Sequence, residues 1–288
     1  MQQKNMNNKP IGSNENYSVL MSVYSKENPD FLRLSMDSMF NQTVKTNDFV
    51  LMCDGPLTKE LNAVISEFEN KYKEILHVIR FEKNQGLGHA LQQGVLACRN
   101  ELIARMDSDD ISRPDRCEMQ LNIFAQHPEV SIVGGIIEEF SETPDSVNGM
   151  RVVPESSEEI IRFAKSRNPF NHPSVMYKKS AVLKAGNYSD VRYMQDYYLW
   201  VDMLICGIKG YNIQKPLVWM RADSELFKRR SGKLYAQIQI NLFKKMKDAK
   251  FITQTQFLKF VTIRVLSATA PNWLRKFMFK KVLRKDKV

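Results

Sequence analysis

The sequence predicts an α/β domain with a mostly parallel central sheet and helices on both of its faces, followed by a basic helical extension. Apolar runs of strand length alternate with amphipathic segments of helical length over the first half of the chain. Strands separated by helices of about 10–15 residues imply right-handed crossovers, which keep the strands parallel and place helices on both faces.

Five strands are predicted in the first half of the chain. They span residues 17–24, 48–54, 75–81, 101–106 and 130–140. Asn28-Pro29-Asp30 starts the first helix, and Pro114 starts the helix that follows the fourth strand. The segment from Leu57 to Tyr72 shows the clearest amphipathic pattern, because its apolar residues recur at helical spacing.

The alternation changes after residue 140. A polar loop leads to a short helix with a capping box from Ser156 to Glu159. Further elements are predicted as a strand at 174–177, a helix at 196–206 and a strand at 212–220. We therefore divide the chain into a polar tail (1–16), a folded domain (17–233, with halves 17–140 and 141–233) and a helical extension (234–288).

The composition excludes disordered, collagen-like and low-complexity proteins. The 288 residues are 43% hydrophobic and 26% charged, as in ordinary globular proteins. The N-terminal residues lack the apolar stretch of a signal peptide, and no apolar run reaches the roughly 18 residues that a membrane-spanning helix needs. The cysteines lack the paired spacing of a zinc site. We therefore expect a cytoplasmic protein with reduced thiols.

The net charge of +10 is concentrated near the C-terminus. Residues 244–288 contain 13 Lys/Arg and 2 Asp/Glu, so this segment carries +11 and the remainder −1. Two apolar stripes occur there at helical spacing: Phe257, Leu258, Val261 and Val265, then Trp273, Leu274, Phe277 and Met278. The pattern predicts an interfacial helix pair on an anionic membrane. The alternative is that the stripes pack on the folded domain.

Polar residues at the carboxyl ends of the predicted strands form a candidate ligand site, because open parallel sheets bind ligands beyond these ends. They are Tyr24 and Glu27 within 24–27, then Asp54, Lys83-Asn84 and residues 107–110. Neither of the glycine-rich phosphate-binding motifs, G-x-x-x-x-G-K-S/T and G-x-G-x-x-G, follows the first strand. An acidic rim that holds a phosphorylated ligand needs a divalent cation, and carboxylates suit Mg²⁺ or Mn²⁺.

Asp107, Asp109 and Asp110 are the strongest part of this pattern. The alternative explanation is turn and cap chemistry ahead of Pro114, since Asp favours such positions. That explains one or two of the acids. Three acids within four residues at a central strand end would repel one another without a cation, so the sequence favours a metal site.

Several segments, in order over about three quarters of the chain, resemble family 2 glycosyltransferases of the GT-A fold, in particular bacterial enzymes of capsule and exopolysaccharide synthesis. The segments are YSVLMSVY (17–24), DFVLMCDG (48–55), EKNQGLGHALQQG (82–94), IARMDSDDISRPDR (103–116), NHPSVMYKKS (171–180) and QDYYLW (195–200). The DxD signature, Asp107 and Asp109, is weak alone, whereas the ordered set is specific. The resemblance implies a Rossmann-like central sheet.

The resemblance also implies an inverting transfer from a nucleotide-diphosphate sugar, in particular a UDP-sugar, with Mn²⁺ or Mg²⁺ as cofactor. Residues 17–140 would bind the donor and 141–233 the acceptor. The implied donor residues are Tyr24, Glu27, Asp54, Lys83, Arg105, Asp107, Ser108, Arg229 and Arg230. Asp54 would recognise the nucleotide base, whereas Asp107 and Asp109 would hold the ribose and the metal-bound diphosphate. The implied acceptor residues are His172, Gln195 and Trp200, beside Asp196 as the catalytic base.

The chemistry of sugar transfer fits Asp196. An in-line displacement at the anomeric carbon needs a carboxylate to accept the proton of the acceptor hydroxyl and a cation to stabilise the leaving diphosphate. Asp196 lies at a predicted helix start, where the dipole favours its ionised form. An ordinary N-cap is the alternative, and the match to the family motif favours the functional role over it. Gln195 replaces a frequent Glu of the family. Arg229 and Arg230 are interpreted either as diphosphate ligands or as solvated cations.

Processive members of this family carry a Q-x-x-R-W motif and transmembrane helices, and both are missing from the sequence. We therefore expect a non-processive enzyme acting on a glycan acceptor, in particular a lipid-linked one, as a peripheral protein on the inner face of the cell membrane. One alternative is a nucleotidyltransferase, although YSKENP offers only Lys26 for a triphosphate. The other is a non-enzymatic membrane or nucleic-acid binder. It leaves the acidic strand ends unexplained, and without a nucleic-acid-binding motif we expect no nucleic-acid partner.

Overall fold

The structure, a computed structural model, describes residues 16–222 and 233–269. Within these ranges nine strands form one sheet: β1 (Tyr17–Val23), β2 (Asp48–Cys53), β3 (Leu76–Arg80), β4 (Leu102–Asp107), β5 (Ile111–Ser112), β6 (Val130–Phe140), β7 (Val147–Arg151), β8 (Met176–Lys178) and β9 (Lys209–Arg221). The α-helices described are α1 (Pro29–Phe40), α2 (Lys59–Lys71), α3 (Leu87–Ala97), α4 (Arg116–Gln126), α5 (Ser157–Ala164), α6 (Lys179–Lys184), α7 (Gln195–Ile205), α8 (Lys233–Asp248) and α9 (Gln254–Thr269). The chain divides into two compact units, residues 1–222 and 223–288.

The sheet has the order β3-β2-β1-β4-β8-β6-β9-β5, with β7 paired to β6. Strands β1 to β4 are parallel, and β6 and β9 form a second parallel pair. The short strand β8 is antiparallel to both β4 and β6, and so joins the two parallel groups. The predicted mostly parallel sheet is therefore confirmed.

The parallel register brings the carboxyl ends of β1 to β4 to one edge of the sheet. Val23 is paired with Cys53, Cys53 with Arg80, and Ser22 with Asp107. The residues that follow these strands therefore start from the same edge, as the sequence predicted for a ligand site.

Helices cover both faces of the central strands, whose residues are almost all buried. On one face, Phe40 of α1 stacks on Tyr72 with ring centroids 3.8 Å apart. On the other face, Gly94 of α3 lies so close to the sheet that an added Cβ would be 2.3 Å from a methyl group of Leu20. Because alternate residues of a strand point to opposite faces, this double cover requires continuous apolar runs.

Three elements were not predicted: β5, β7 and α6. The strands β5 and β7 exist because they pair with β9 and β6, and such long-range pairing leaves little trace in a local sequence pattern. The strand predicted at 174–177 starts at Met176 instead, because His172–Ser174 forms a turn of 3-10 helix. The helix predicted from Pro114 starts at Arg116.

The second unit is described by α8 and α9. Phe243 and Phe260 bring these helices together with ring centroids 5.3 Å apart, and Lys247 Nζ lies 5.2 Å from the ring centroid of Phe257. Among the described residues, every helix is too short or too polar to cross a membrane. The second predicted stripe, from Trp273, lies outside the described residues.

Candidate active site

The segment that follows β4 holds the acidic motif. Asp107 ends β4, and Asp110 directly precedes β5. Carboxylate oxygens of Asp107, Asp109 and Asp110 lie within 4.8 Å of one another. Oxygen atoms grouped in this way are able to bind one hard divalent cation.

Burial and mutual repulsion disfavour ionisation of two of these carboxyl groups, Asp109 and Asp110. Burial, followed by the charges of Asp107 and Glu27, raises the pKa of Asp109 to about 7. Asp110 is 2% exposed, and burial together with Asp109 and Asp107 raises its pKa well above the usual range. A bound cation would favour the ionised forms and so relieve this cost.

Two arginines offset part of the negative charge. Arg105 is 1% exposed and forms an ion pair with Asp107. Arg221 donates its backbone N–H to Asp110 Oδ1 (2.8 Å) and its Nε–H to the carbonyl oxygen of Asp109 (3.3 Å). Both arginines therefore hold the acidic segment. Arg105 binds the Asp107 carboxylate, whereas Arg221 binds the Asp110 carboxylate and the backbone of Asp109.

The group as a whole carries a net negative charge. Ser108 Oγ donates to Glu27 Oε2 at 2.5 Å, which ties the loop after β1 to the acidic segment. Four carboxylates, those of Glu27 and the three aspartates, oppose the two guanidinium groups, so the fully ionised group has a charge of −2. A single divalent cation would neutralise it. Tyr24, also at the end of β1, is 39% exposed.

Sequence reasoning missed Arg221. It pointed instead to Arg229 and Arg230, which lie outside the described residues. The available signal was the strand end itself, because Arg221 is the last residue of β9 and β9 runs in the same direction as β4. Its guanidinium carbon lies 3.6 Å from the ring centroid of Phe31, which fixes its direction.

Asp54 lies at the end of β2 and organises the loop between β3 and α3. It is 4% exposed, and its two carboxylate oxygens accept the backbone N–H groups of Gln85 (2.7 Å) and Gly86 (2.9 Å). Gly55 follows with φ +90°, and a Cβ there would be 2.6 Å from the backbone nitrogen of the same loop at residue 84. Lys83 is exposed in this loop. Base recognition by Asp54 stays a prediction.

Asp196 lies in the first turn of α7, as predicted, and is partly exposed. Asn168 Nδ2 donates to Asp196 Oδ2 at 2.6 Å. Burial raises the pKa of the Tyr188 phenol; Arg105 opposes the shift, and the charges of Asp196 and Asp107 add to it. Both carboxylates therefore act electrostatically on one phenol.

His172 contacts the same phenol, with Nε2 at 3.0 Å from Tyr188 Oη. Burial, and then the charge of Arg105, lowers the pKa of His172 well below its usual range, so the imidazole is neutral at pH 7. Gln195, the first residue of α7, is 9% exposed. The structure thus places a neutral His172 against the Tyr188 phenol.

The predicted acceptor contact of Trp200 is wrong. Its side chain is fully buried, and its ring packs against Phe170, His172, Tyr177 and Tyr188 with centroids 5.7–6.4 Å apart. Helical spacing places residue 200 one turn after Asp196, but the side chain at 200 forms the core beneath the site rather than its surface.

Two buried side chains of α4 join the halves of the domain beneath the site. Arg116 Nη2 donates to the carbonyl oxygens of Arg105 (2.7 Å) and Val175 (3.0 Å). Gln120 Nε2 donates to one carbonyl of β6 and one of the 3-10 turn, both at 2.8 Å. These bonds link the end of β4 to the loop that precedes β8.

Comparison with known sequences gives a consistent result. The model of the family described as "Glycosyl transferase family 2" matches residues 18–189. An uncharacterised glycosyltransferase of Haemophilus influenzae is 39% identical over 269 residues, which cover 93% of this chain and 99% of that protein. The UDP-Gal:alpha-D-GlcNAc-diphosphoundecaprenol beta-1,3-galactosyltransferase of Escherichia coli is 36% identical over 271 residues, which cover 93% and 97%.

Solved structures share the fold. TarS 1-349 of S. aureus in complex with UDP-GlcNAc aligns with a TM-score of 0.67 at 14% identity, over 94% of this chain and 76% of that chain. The mannosyltransferase PcManGT from Pyrobaculum calidifontis in complex with GDP-Man and Mn²⁺ aligns with a TM-score of 0.61 at 13% identity, over 96% and 85%. With the family match over more than half of its length, the chain belongs to glycosyl transferase family 2 and is a glycosyltransferase of the GT-A fold.

Proposed function

We propose that the chain is a non-processive, inverting glycosyltransferase that transfers a sugar from a UDP-sugar to a hydroxyl group of a lipid-linked glycan in bacterial surface polysaccharide synthesis. The observation that carries this proposal is the acidic group at 107–110, together with Asp196 in the first turn of α7. The Escherichia coli relative is named for a UDP-galactose donor and a diphosphoundecaprenol-linked acceptor, and TarS has been solved with UDP-GlcNAc. Those names support the donor and acceptor classes.

Asp107 and Asp109 would hold a divalent cation, Mn²⁺ or Mg²⁺. The residues fit such an ion, because hard carboxylate oxygens converge within 4.8 Å and their group carries uncompensated negative charge. When bound, the cation stabilises the charge of the leaving nucleoside diphosphate. Arg105 would keep the Asp107 carboxylate in place, and Arg221 would fix the backbone of Asp109.

Asp196 would act as the general base. As the acceptor oxygen attacks the anomeric carbon from the face opposite the leaving diphosphate, its proton passes to the Asp196 carboxylate and the configuration inverts. The N-terminal turn of α7 favours the ionised carboxylate that this role needs. His172 and Gln195 would hydrogen-bond the acceptor as neutral groups.

A panel of UDP-, GDP- and dTDP-sugars, incubated with the purified full chain, tests the donor class. We expect release of UDP from one of the UDP-sugars, faster with Mn²⁺ or Mg²⁺ than with a chelator. Asp109→Ala should lose this activity, whereas Asp145→Ala, an exposed acid in the loop before β7, is the matched control. Equal release in excess chelator would contradict the metal assignment, and release from only GDP- or dTDP-sugars would contradict the nucleotide.

The basic extension would hold the enzyme on the anionic inner face of the cell membrane. Residues 233–269 contain seven Lys/Arg and one acid. Leu258 and Ile263 of α9 are 55% and 42% exposed, and Lys259 beside Leu258 is exposed as well. Exposed apolar residues flanked by lysines are typical of helices that lie on anionic lipid surfaces.

Flotation with vesicles tests this role. Wild type should bind anionic vesicles better than neutral ones and dissociate at high salt, since each basic residue near the surface contributes about 1 kcal/mol. Leu258→Glu combined with Lys259→Glu should weaken binding strongly. Lys73→Glu, at an exposed lysine after α2, controls for a Lys→Glu change elsewhere on the surface. Equal binding to anionic and neutral vesicles would favour packing of the stripe on the protein instead.

A further inference from the structure

Asn168 lies between α5 and the 3-10 turn, and its amide makes two contacts of different kinds. Nδ2 donates to Asp196 Oδ2 at 2.6 Å. Oδ1 accepts the backbone N–H of Phe170 at 3.3 Å, within its own loop. Because the oxygen is held by the loop, the nitrogen end of the amide is directed at Asp196.

The first turn of α7 is held on both sides of Asp196. Met194 precedes it with φ +63°, a left-handed conformation that side-chain-bearing residues adopt at a free-energy cost. Tyr197 Oη donates to the carbonyl oxygen of Ala164, at the end of α5, at 2.6 Å. Strained backbone of this kind persists where surrounding contacts over-determine it, and functional sites are where it concentrates.

The loop that presents Asn168 is itself fixed from below. Asn171 is 9% exposed, and its Nδ2 donates to the carbonyl oxygens of Gly135 (2.9 Å) and Arg151 (3.0 Å). Phe170 is buried, with its ring centroid 5.7 Å from that of Trp200. The loop that carries Asn168 is therefore held in place by hydrogen bonds and by packing against the core.

We infer that Asn168 is a positioning residue for Asp196, an inference that rests on the proposed role of Asp196 as the base. By donating to one carboxylate oxygen, Asn168 fixes the rotation of the Asp196 carboxylate relative to the acceptor hydroxyl. A base held in its productive orientation is more effective than one that samples several rotamers. Asn168 acts through Asp196 and takes no part in proton transfer.

Asn168→Ser separates this role from a purely local one. Serine retains an oxygen able to accept the N–H two residues later, so it preserves the loop contact, but it is too short to reach Asp196. We expect Asn168→Ser and Asn168→Ala each to lower the kcat of UDP release from the UDP-sugar about tenfold, with the KM for the UDP-sugar unchanged. A loop role alone predicts that the serine variant resembles wild type, and that result would overturn the inference.

The double variant identifies the residue through which Asn168 acts. In the Asp196→Asn background, adding Asn168→Ser should cause no further loss of kcat, because the group to be positioned is gone. A further tenfold loss would overturn the inference. If Asp196→Asn alone retains wild-type turnover, the proposed base is wrong, which is a different result from an Asn168→Ser variant of normal kcat. Thermal unfolding and UDP binding of each variant confirm that the domain is folded.

Discussion

Both edges of the β1–β4 sheet contain a buried aspartate beside an arginine, but the two edges treat their carboxylates differently. At the amino edge, Asp48 is 0% exposed. It accepts Ser18 Oγ at 2.5 Å, the backbone N–H of Arg99 at 2.8 Å and the Nε–H of Arg99 at 3.0 Å. At the carboxyl edge, three aspartates crowd within 4.8 Å of one another.

The difference shows what each edge is for. Asp48 is buried away from water, and hydrogen-bond donors compensate for the loss of hydration. Its carboxylate therefore connects β1, β2 and the loop before β4. The carboxyl edge retains charge that its own donors do not neutralise. Burial, together with the charges of Asp107 and Glu27, raises the pKa of Asp109 to about 7. Unrelieved electrostatic cost in a cleft is typical of a ligand site.

The largest expected effect is on activity, at the carboxyl edge. Asp109→Ala should lower kcat/KM at least about 10²-fold, because it removes a ligand of the cation that stabilises the leaving group. Its thermal midpoint without metal should not fall, since one of several mutually repelling charges has gone. Initial rates with Mn²⁺ and a thermal melt check both statements. A fully active variant would show that the two edges do not differ as described.

The amino edge should give the opposite result. Asp48→Ala leaves the Ser18 hydroxyl and the Arg99 N–H without their acceptor, which should cost about 2 kcal/mol of unfolding free energy. Activity per folded molecule should be unchanged, because Asp48 is at the far edge of the sheet. Urea denaturation followed by tryptophan fluorescence measures the loss. Normal stability with impaired transfer would reverse the assignment of the two edges.

The smallest effect is a pH dependence that metal should suppress. Asp109 binds a proton with a pKa of about 7 in the folded protein against an ordinary value of 3.8, so the folded state holds more protons between these values. The unfolding free energy should therefore decrease as pH rises from about 4 to 7 in the presence of a chelator. Asp110 contributes with the same sign. Saturating Mn²⁺ should flatten the decrease, and parallel curves with and without Mn²⁺ would contradict the site.

The sequence was sufficient for the parts of the fold and site that depend on local pattern. Continuous apolar runs marked β1, β2 and β4, and the rule for strand ends located the acids at 107–110. The helix start at α7 was predicted within one residue. Each of these features is fixed by residues close together in the chain.

The parts that escaped prediction depend on contacts between distant residues. Strand β7 is mostly exposed, and it is held in place by its pairing with β6. The burial of Trp200 is decided by rings from three other segments. The contact of Asn168 with Asp196 joins a loop to the first turn of a helix 28 residues later. Sequence spacing shows which residues share a helix face, but not what covers that face.

The short antiparallel strand β8 has a consequence for motion. It is hydrogen-bonded to β4 on one side and β6 on the other. Arg116 connects the loop before β8 to β4, and Gln120 connects that loop to β6. Two groups of strands that share one continuous sheet cannot rotate as separate bodies about a hinge. Any closing over a bound sugar must therefore come from loops at the carboxyl edge, rather than from rotation of one half of the domain against the other.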